Sequence, residues 1–488
     1  MNVIKITILL FCLASSFTLS GQSFTAIHSI DPLTISTNTG EKPQSKVWNH
    51  DNKWWAVMPD SAGTYIRRLD HINGQYTWER SLKISNSTET YADCKVDSSL
   101  LHVLLFDKGT LANKARLISL EYDTTMSSYS IWNSNSPEVI LNNTVETATI
   151  DIDSQNRIWI TYEQNNDIKV RWSDVPYTIW SNEIILYSGV KADDICAIVH
   201  LNDKIGVLWS NQNTKRFGFR FHEDTQLPSN WSIDEVPAGS SALNIGYGMA
   251  DDHLNMAVLG DGTLFCAVKT GYDANGQPTI GLIVRDPNGS WSQLYNVSES
   301  GTRPIVTINE ATQKLQVVYT NSELGGDIVY KESDINQIAF GGTQMLISQQ
   351  GSLKYNNVSG AKNNYTSEIV FLASSGNQMA SVVASSSPPQ PLVAHYQMDE
   401  NGGTALIDES NNNNAGTIIG NQSWCTDQNG GHVLNLDGTS YATISDSPSL
   451  DVTNAVTIAG WIKPSLSAYS TQYVIKKGNY GTTDGYEL

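Results

Sequence analysis

Asp151-Ile-Asp-Ser-Gln-Asn-Arg-Ile-Trp-Ile-Thr-Tyr162 holds the end of one alternating apolar run, a polar break and the start of a second run. Alternation of period two, broken by Asn and Ser, marks a β-hairpin and not a helix. Ile168-Lys-Val-Arg-Trp-Ser173 continues it as a third strand. Trp180 followed by Ile184-Ile-Leu186 supplies a fourth. The unit reads as an antiparallel sheet of four strands with a tryptophan just before the last.

The same order recurs. From Asp193 come Ile195-Cys-Ala-Ile-Val199, Ile205-Gly-Val-Leu-Trp209, residues 216–221, and Trp231 with residues 233–236. From Asp251 come a strand over 254–259, a turn at Gly260-Asp-Gly262, a strand over 263–268, and Trp291 with residues 294–297. A further unit covers 303–348 with Phe340 at the tryptophan position, a weaker one covers 353–384, and two earlier ones carry Trp78 and Trp132. The aromatics at 78, 132, 180, 231, 291 and 340 are 54, 48, 51, 60 and 49 residues apart. That period suits one propeller blade per unit. Seven units predict an all-β fold, an about seven-bladed β-propeller over residues 23–385. Leu33-Thr-Ile-Ser36 is a candidate strand to complete the weak last unit. A pair of β-sandwiches is the competing architecture, and it leaves the period unexplained.

The tryptophan before each outer strand resembles the blade of sialidase and BNR-repeat propellers, whose Asp box, Ser-x-Asp-x-Gly-x-Thr-Trp, turns between the third and fourth strands. Asp286-Pro-Asn-Gly-Ser-Trp291 keeps the Asp-to-Trp distance with the glycine moved by one place. Arg171-Trp-Ser-Asp174 and Lys331-Glu-Ser-Asp334 keep only Ser-Asp. The resemblance covers about 340 residues and implies blade architecture, since propellers host many activities.

Composition narrows the partners. The formal net charge of −19 disfavours nucleic acid and anionic membranes, which both ask for a basic face. Charged residues make up only 16% of the chain against 40% hydrophobic, which suits a buried core and not a disordered chain. Lys5 followed by the short apolar run 6–14 and the small residues Ser15, Ser16, Thr18 and Ser20 predicts a signal peptide over 1–20. The protein is therefore expected outside the cell, with no membrane span. Cys94, Cys196, Cys266 and Cys425 lie far apart without metal-ligand spacing, and read as small buried hydrophobes.

Ser385-Ser-Ser-Pro-Pro-Gln-Pro391 is a linker by composition, placed at 386–391. Beyond it come Ala394-His-Tyr-Gln-Met-Asp399, Leu434-Asn-Leu-Asp-Gly438, Ser447-Pro-Ser-Leu450, Gly460-Trp-Ile-Lys-Pro464 and Gly485-Tyr-Glu-Leu488. In this order they resemble the first part of a laminin-G-like, concanavalin-A-type jelly roll, a truncated β-sandwich over 392–488. The family often binds glycans or proteins, sometimes through calcium. Asp408 and Asn412, in Asp408-Glu-Ser-Asn-Asn-Asn-Asn414, are the candidate calcium ligands. The competing reading is a plain turn, because Asn tolerates left-handed backbone.

In a propeller, the residues leading into the inner strands line one mouth of the axis. Aligning the units places Asp93, Glu146, Asp193, Asp194, Asp251, Asp252, His253 and Arg303 there, with Lys269, Tyr272 and Arg285 on the blade of His253. Two readings stay open. Each aspartate caps a strand entry or pairs with the next blade, a device that repeats reuse. Alternatively Asp93, Glu146, Asp194 and Asp252 bind a polar ligand, best an extracellular polysaccharide or glycoprotein glycan held between carboxylates and aromatic platforms. An enzyme on this scaffold would be a glycoside hydrolase using a carboxylate pair, or a uronate lyase with His253 or Tyr272 as base and Arg303 or Lys269 neutralising the sugar acid. A third expectation is an adhesion or protein-interaction scaffold.

Overall fold

A computed structural model describes residues 24–386, except 41, 73, 108–113, 133–137 and 141–144, together with 393–410, 412–426, 431–451, 458, 460, 462, 463, 474–478, 486 and 487. The expected signal segment lies outside the described residues, as does all of the expected linker but Ser386. The chain is all-β, with two short 3-10 turns and no α-helix among the described residues. Among the described residues no helix is long and apolar enough to cross a membrane. It divides into two compact units, Gln22–Pro388 and one that includes Pro389–Leu488.

The first unit is a succession of seven antiparallel sheets. The first holds Val47–His50, Lys53–Asp60, Gly63–Ile72 and Gln75–Ser85. The second holds Thr90–Asp97, Leu100–Asp107, Lys114–Asp123 and Glu138–Ile140, with Ser128–Ile131 also paired to its third strand. The third follows the opening motif: Ala148–Ile152, Ile158–Gln164, Asp167–Ser173 and Ile184–Ser188. The fourth has Cys196–His200, Lys204–Asn211 and Arg216–Glu223, and the fifth has Leu254–Val258, Leu264–Lys269, Ile280–Arg285 and Tyr295–Ser298. Thr302–Asn309, Lys314–Thr320, Ile328–Asp334 and Gln344–Ile347 form the sixth. In the seventh, Asn356–Ser359, Glu368–Ser375 and Gln378–Ser385 are completed by Ala26–Thr34 from the start of the unit.

Consecutive sheets meet through their first strands, and Val47–His50 also neighbours Glu368–Ser375 of the seventh sheet. A first strand has one edge without a ladder partner, and its amides need acceptors. Side chains of the preceding first strand supply them. Asp93 accepts from Ile150 N, Thr149 from Ile198 N, Asp151 from His200 N, and Asn255 from Val306 N. The apolar core is likewise distributed between neighbours. Trp159 and Val170 of the third sheet pack with Ile198, Val207 and Trp209 of the fourth. Phe265 and Leu282 of the fifth pack with Val306 and Val317 of the sixth. Each fully buried aromatic of this kind stabilises the fold by roughly 1.5–3 kcal/mol relative to an exposed one.

The periodic aromatics act across these boundaries. Trp231 stands edge-on to Trp159 of the preceding sheet at 5.6 Å, and Trp291 to Phe219 at 5.3 Å. The fourth sheet departs from expectation. Residues 233–236 form no strand and touch the sheet through a single Phe219–Glu235 bridge. Pro228 and Pro237 flank this segment, and Ile233 is 86% exposed, so nothing buries a fourth strand there.

The second unit carries a three-stranded sheet of Ala405–Leu406, Gly416–Ile419 and Tyr441–Ile444, and two-stranded pairs of Gln422–Thr426 with His432–Leu436 and Lys476–Lys477 with Tyr486–Glu487. Leu406, Ile418 and Leu434 form its small core, with Tyr396, Met398 and Trp424 packed against it.

Candidate functional site

Residues 38–40 and 42–46, which precede the first sheet, run across the entries of the first strands. Thr39 is tied to Asn357 O at 2.6 Å and to Ser374 Oγ, Gln44 Nε2 donates to Ala148 O at 3.0 Å, and Ser45 N donates to Asp93 at 2.9 Å. Lys42 and Lys46 are both buried on this strap. Lys46 donates to Asn38 O, and Lys42 pairs with Glu146 of the segment before the third sheet at 3.2 Å and with Asp252 before the fifth. Several of the aligned strand entries thus bond to the chain's own N-terminal segment.

Asp93, Asp194 and Asp252 share an Ala-Asp context but not a structural role. Asp93 lies inside Thr90–Asp97 and is fully buried. Its two oxygens take Ser45 N, Ile150 N and the Lys362 ammonium, the last at 2.5 Å. Asp194 precedes its strand and closes its own loop, accepting from Lys191 N at 2.7 Å and Ser210 Oγ at 2.8 Å. Both carboxylates bond groups of the fold itself. Glu146 keeps partial exposure beside Lys42.

Asp252 belongs to a different arrangement. His253 Nδ1 lies 2.8 Å from an oxygen of Asp251 and 2.8 Å from one of Asp252. Burial opposes a charged imidazole, but the bonds to these two carboxylates outweigh it and raise His253 above its ordinary value. Burial also works against the ionised form of Asp252, yet His253 and Lys42 hold it far below the usual carboxylate range. Asp251 moves the other way, pushed up chiefly by burial. Its second oxygen lies 3.4 Å from Lys269, which also pairs at 2.5 Å with Glu323, in the loop between the second and third strands of the sixth sheet. One atom each of Asp251, Asp252 and His253 falls within 4.8 Å of the others, close enough to share an ion. Lys42 and Lys269 already supply cations to both carboxylates.

Asp251, Lys269 and Tyr272 open onto a cleft of about 650 Å³ between the fifth and sixth sheets. Tyr247 forms part of its wall and is 81% exposed. The backbone there is drawn tight by Tyr247 N to Gly271 O and Gly271 N to Gly248 O. A Cβ at Gly271 would stand 2.7 Å from that of Tyr247, so only glycine allows this approach. The lining carries the carboxylates of Asp251, Asp273, Glu299 and Glu323 and the single ammonium of Lys269. Tyr272 is buried, and its hydroxyl accepts from Leu243 N at 2.9 Å. Arg303 stands apart. It has a left-handed backbone (φ 52°), its Nε is buried without a partner, and it makes no ion pair among the described residues.

A second cavity, of about 540 Å³, is lined from all seven sheets or the segments beside their first strands, with Pro43, Gln44 and Ser45 of the strap at one end. Lys95 is paired in it with Asp151 at 2.6 Å.

In the second unit, Asp408 accepts from His395 N, Ser410 N, Ser410 Oγ and Asn414 N, and Asn412 Nδ2 donates to Val393 O. Both oxygens of Asp408 serve the turn.

Sequence reasoning brought Asp252, His253, Lys269 and Tyr272 to one neighbourhood and missed Lys42, Tyr247 and Glu323. The 60-residue spacing from Trp231 to Trp291, the longest of the series, marks the extra loop that carries Tyr247. Lys42 has no such signal, because it precedes the repeats.

No protein-family model matches the sequence, and no curated protein matches it. Among solved structures, the chain is similar to a PL25 ulvan lyase, a polysaccharide lyase, with 10% identity and a TM-score of 0.47 over 74% of this chain and 95% of that one. It is similar to the polysaccharide lyase Uly1 at 8% identity and a TM-score of 0.43, covering 79% and 99%. A third likeness is to a Trypanosoma rangeli sialidase, at 10% identity and a TM-score of 0.38, covering 71% and 55%. Identities of this order assign no residue a role.

Proposed function

We propose that the protein is a secreted carbohydrate-binding protein, whose first unit is a seven-bladed β-propeller and whose second has a laminin-G-like jelly-roll character. The propeller reading is supported by seven sheets that neighbour one another through their first strands, with the N-terminal strand completing the last. The binding reading rests on one observation: the cleft sets the exposed ring of Tyr247 beside several carboxylates. Sugars present apolar C–H faces and hydroxyl donors, and an aromatic face with convergent acceptors complements both. Retention on a panel of immobilised extracellular polysaccharides tests it. The wild type should be retained on at least one of them and Tyr247→Ala should lose about tenfold in affinity. Equal retention of the two proteins removes the cleft from the reading.

A polysaccharide-degrading enzyme is the second reading, favoured by Asp251 and Lys269 side by side on the cleft, with the buried His253 bonded to Asp251 behind them. Burial lowers the proton affinity of His253 and its bonds to the two carboxylates raise it by more, which suits the imidazole less to a base's role. Incubation with each retained polysaccharide decides this: new reducing ends mean hydrolysis, unsaturated uronate absorbance means elimination, and neither product leaves binding.

A further inference from the structure

The His253 Nδ1 is shared between two carboxylates at the same distance, 2.8 Å. One N–H cannot serve both fully, so the carboxylate with the poorer alternative partner draws it. Asp252 has a strong alternative in the buried ammonium of Lys42, whose side chain is only 4% exposed. Asp251 has the looser contact to Lys269 at 3.4 Å, and Lys269 is engaged more closely by Glu323. Resting on the reading of the cleft as the binding site, we propose that Lys42 is a positioning residue for that site: by satisfying Asp252, it leaves the His253 N–H to hold the cleft carboxylate Asp251.

The strap is built to keep Lys42 in place. Thr39 on one side of it is bonded to the seventh sheet, and Gln44 and Ser45 on the other to the third and second. Glu146 at 3.2 Å and the nearby Asp193 add negative charge around the ammonium. Without Lys42, the half-buried Asp252 carboxylate keeps only His253 as a charged partner and takes the N–H, and Asp251 is released from its orientation toward the cleft.

Lys42→Met, Lys42→Arg and the double variant Lys42→Met/Asp252→Asn test this by two readouts. The first is retention on a polysaccharide that holds the wild type, followed from pH 5 to 8. Lys42→Met should lose about tenfold in affinity, with the acid limb of its profile moved to higher pH. Lys42→Arg should stay within about twofold, and the double variant should recover relative to Lys42→Met, because it leaves no unpaired carboxylate. A merely structural lysine would leave the pH profile unmoved and the double variant no better. The second readout, the imidazole titration of His253 by NMR, needs no ligand. Removing a nearby cation should raise its midpoint in Lys42→Met by about one pH unit. A midpoint unchanged from wild type overturns the proposal even if no polysaccharide is retained, an outcome that by itself counts only against the binding reading. If Lys42→Met does not fold, the double variant carries the test: binding comparable to wild type supports the proposal, and loss of binding in the folded double variant overturns it.

Discussion

The carboxylate of Asp93 accepts the backbone amide of Ile150 at 2.7 Å, across the boundary between the second and third sheets. The same side chain holds Ser45 N of the strap and the Lys362 ammonium beside the seventh sheet. One residue therefore ties together four parts of the first unit. Asp93→Ala should orphan two buried amides and strand a lysine, a loss of about 3–5 kcal/mol. The measurement is the denaturant midpoint, with the far-UV spectrum unchanged before unfolding. A shift no larger than that of an exposed control such as Asp261→Ala contradicts the assignment.

Much of the first unit was legible in the sequence because alternation and the recurring aromatic report directly on sheets packed face to face. The positions of Trp159, Trp209 and Phe265 in the cores follow from that pattern alone. The site was less legible for a physical reason. Aligning the units by their first strands placed Asp93, which lies inside its strand, with Asp194 and Asp252, which stand before theirs. The structural counterparts of Asp93 in bonding the next first strand are Thr149 and Asn255, and chemical identity does not link them. The strap escaped detection because a repeat cannot announce the segment outside it, and Lys42 pairs with Glu146 and Asp252, more than 100 residues away.

Glu163 makes a pH-dependent contribution of unusual sign. Burial pushes its carboxyl up to about 7, only partly offset by the hydrogen bond from Asn166 N. Between the ordinary glutamate value of 4.5 and about 7 the folded chain binds the extra proton, so stability falls as pH rises through that window. Glu163→Gln keeps the acceptor for Asn166 and removes the charge. Its denaturation midpoint should exceed that of the wild type at pH 8 and match it at pH 4.5. A difference that is the same at both values rules out this origin.

His253 works in the same direction, in a window at higher pH. Its folded value is raised above the ordinary 6.5, so its ion pairs contribute fully below that pH and are lost as pH climbs through the raised value. Asp252, held low, contributes above the ordinary 3.8 and loses its contribution only in stronger acid. Thermal unfolding followed across pH should show the cluster's support between these limits and a decline on the alkaline side. In His253→Gln the alkaline decline should flatten, with Glu163→Gln as background so that the two titrations do not overlap. An alkaline limb that stays the same after the substitution removes His253 as its source.

The cleft also has an electrostatic preference that can be measured. Four carboxylates and one ammonium line it, and that ammonium lies between Asp251 and Glu323. A polyanionic chain brought into this space meets net repulsion at close range, partly screened by salt. Neutral or amino-bearing polysaccharides should therefore be retained more strongly than uronate-rich or sulfated ones of similar length. Raising the salt should weaken an amino polysaccharide, leave a neutral one nearly unchanged and help an anionic one. Glu323→Gln removes the outer acid and frees Lys269, so it should raise retention of uronate chains about three- to tenfold while leaving neutral chains within twofold. Strong wild-type retention of a sulfated or uronate polysaccharide that falls with salt would reverse the sign, and would move the binding surface away from this cleft.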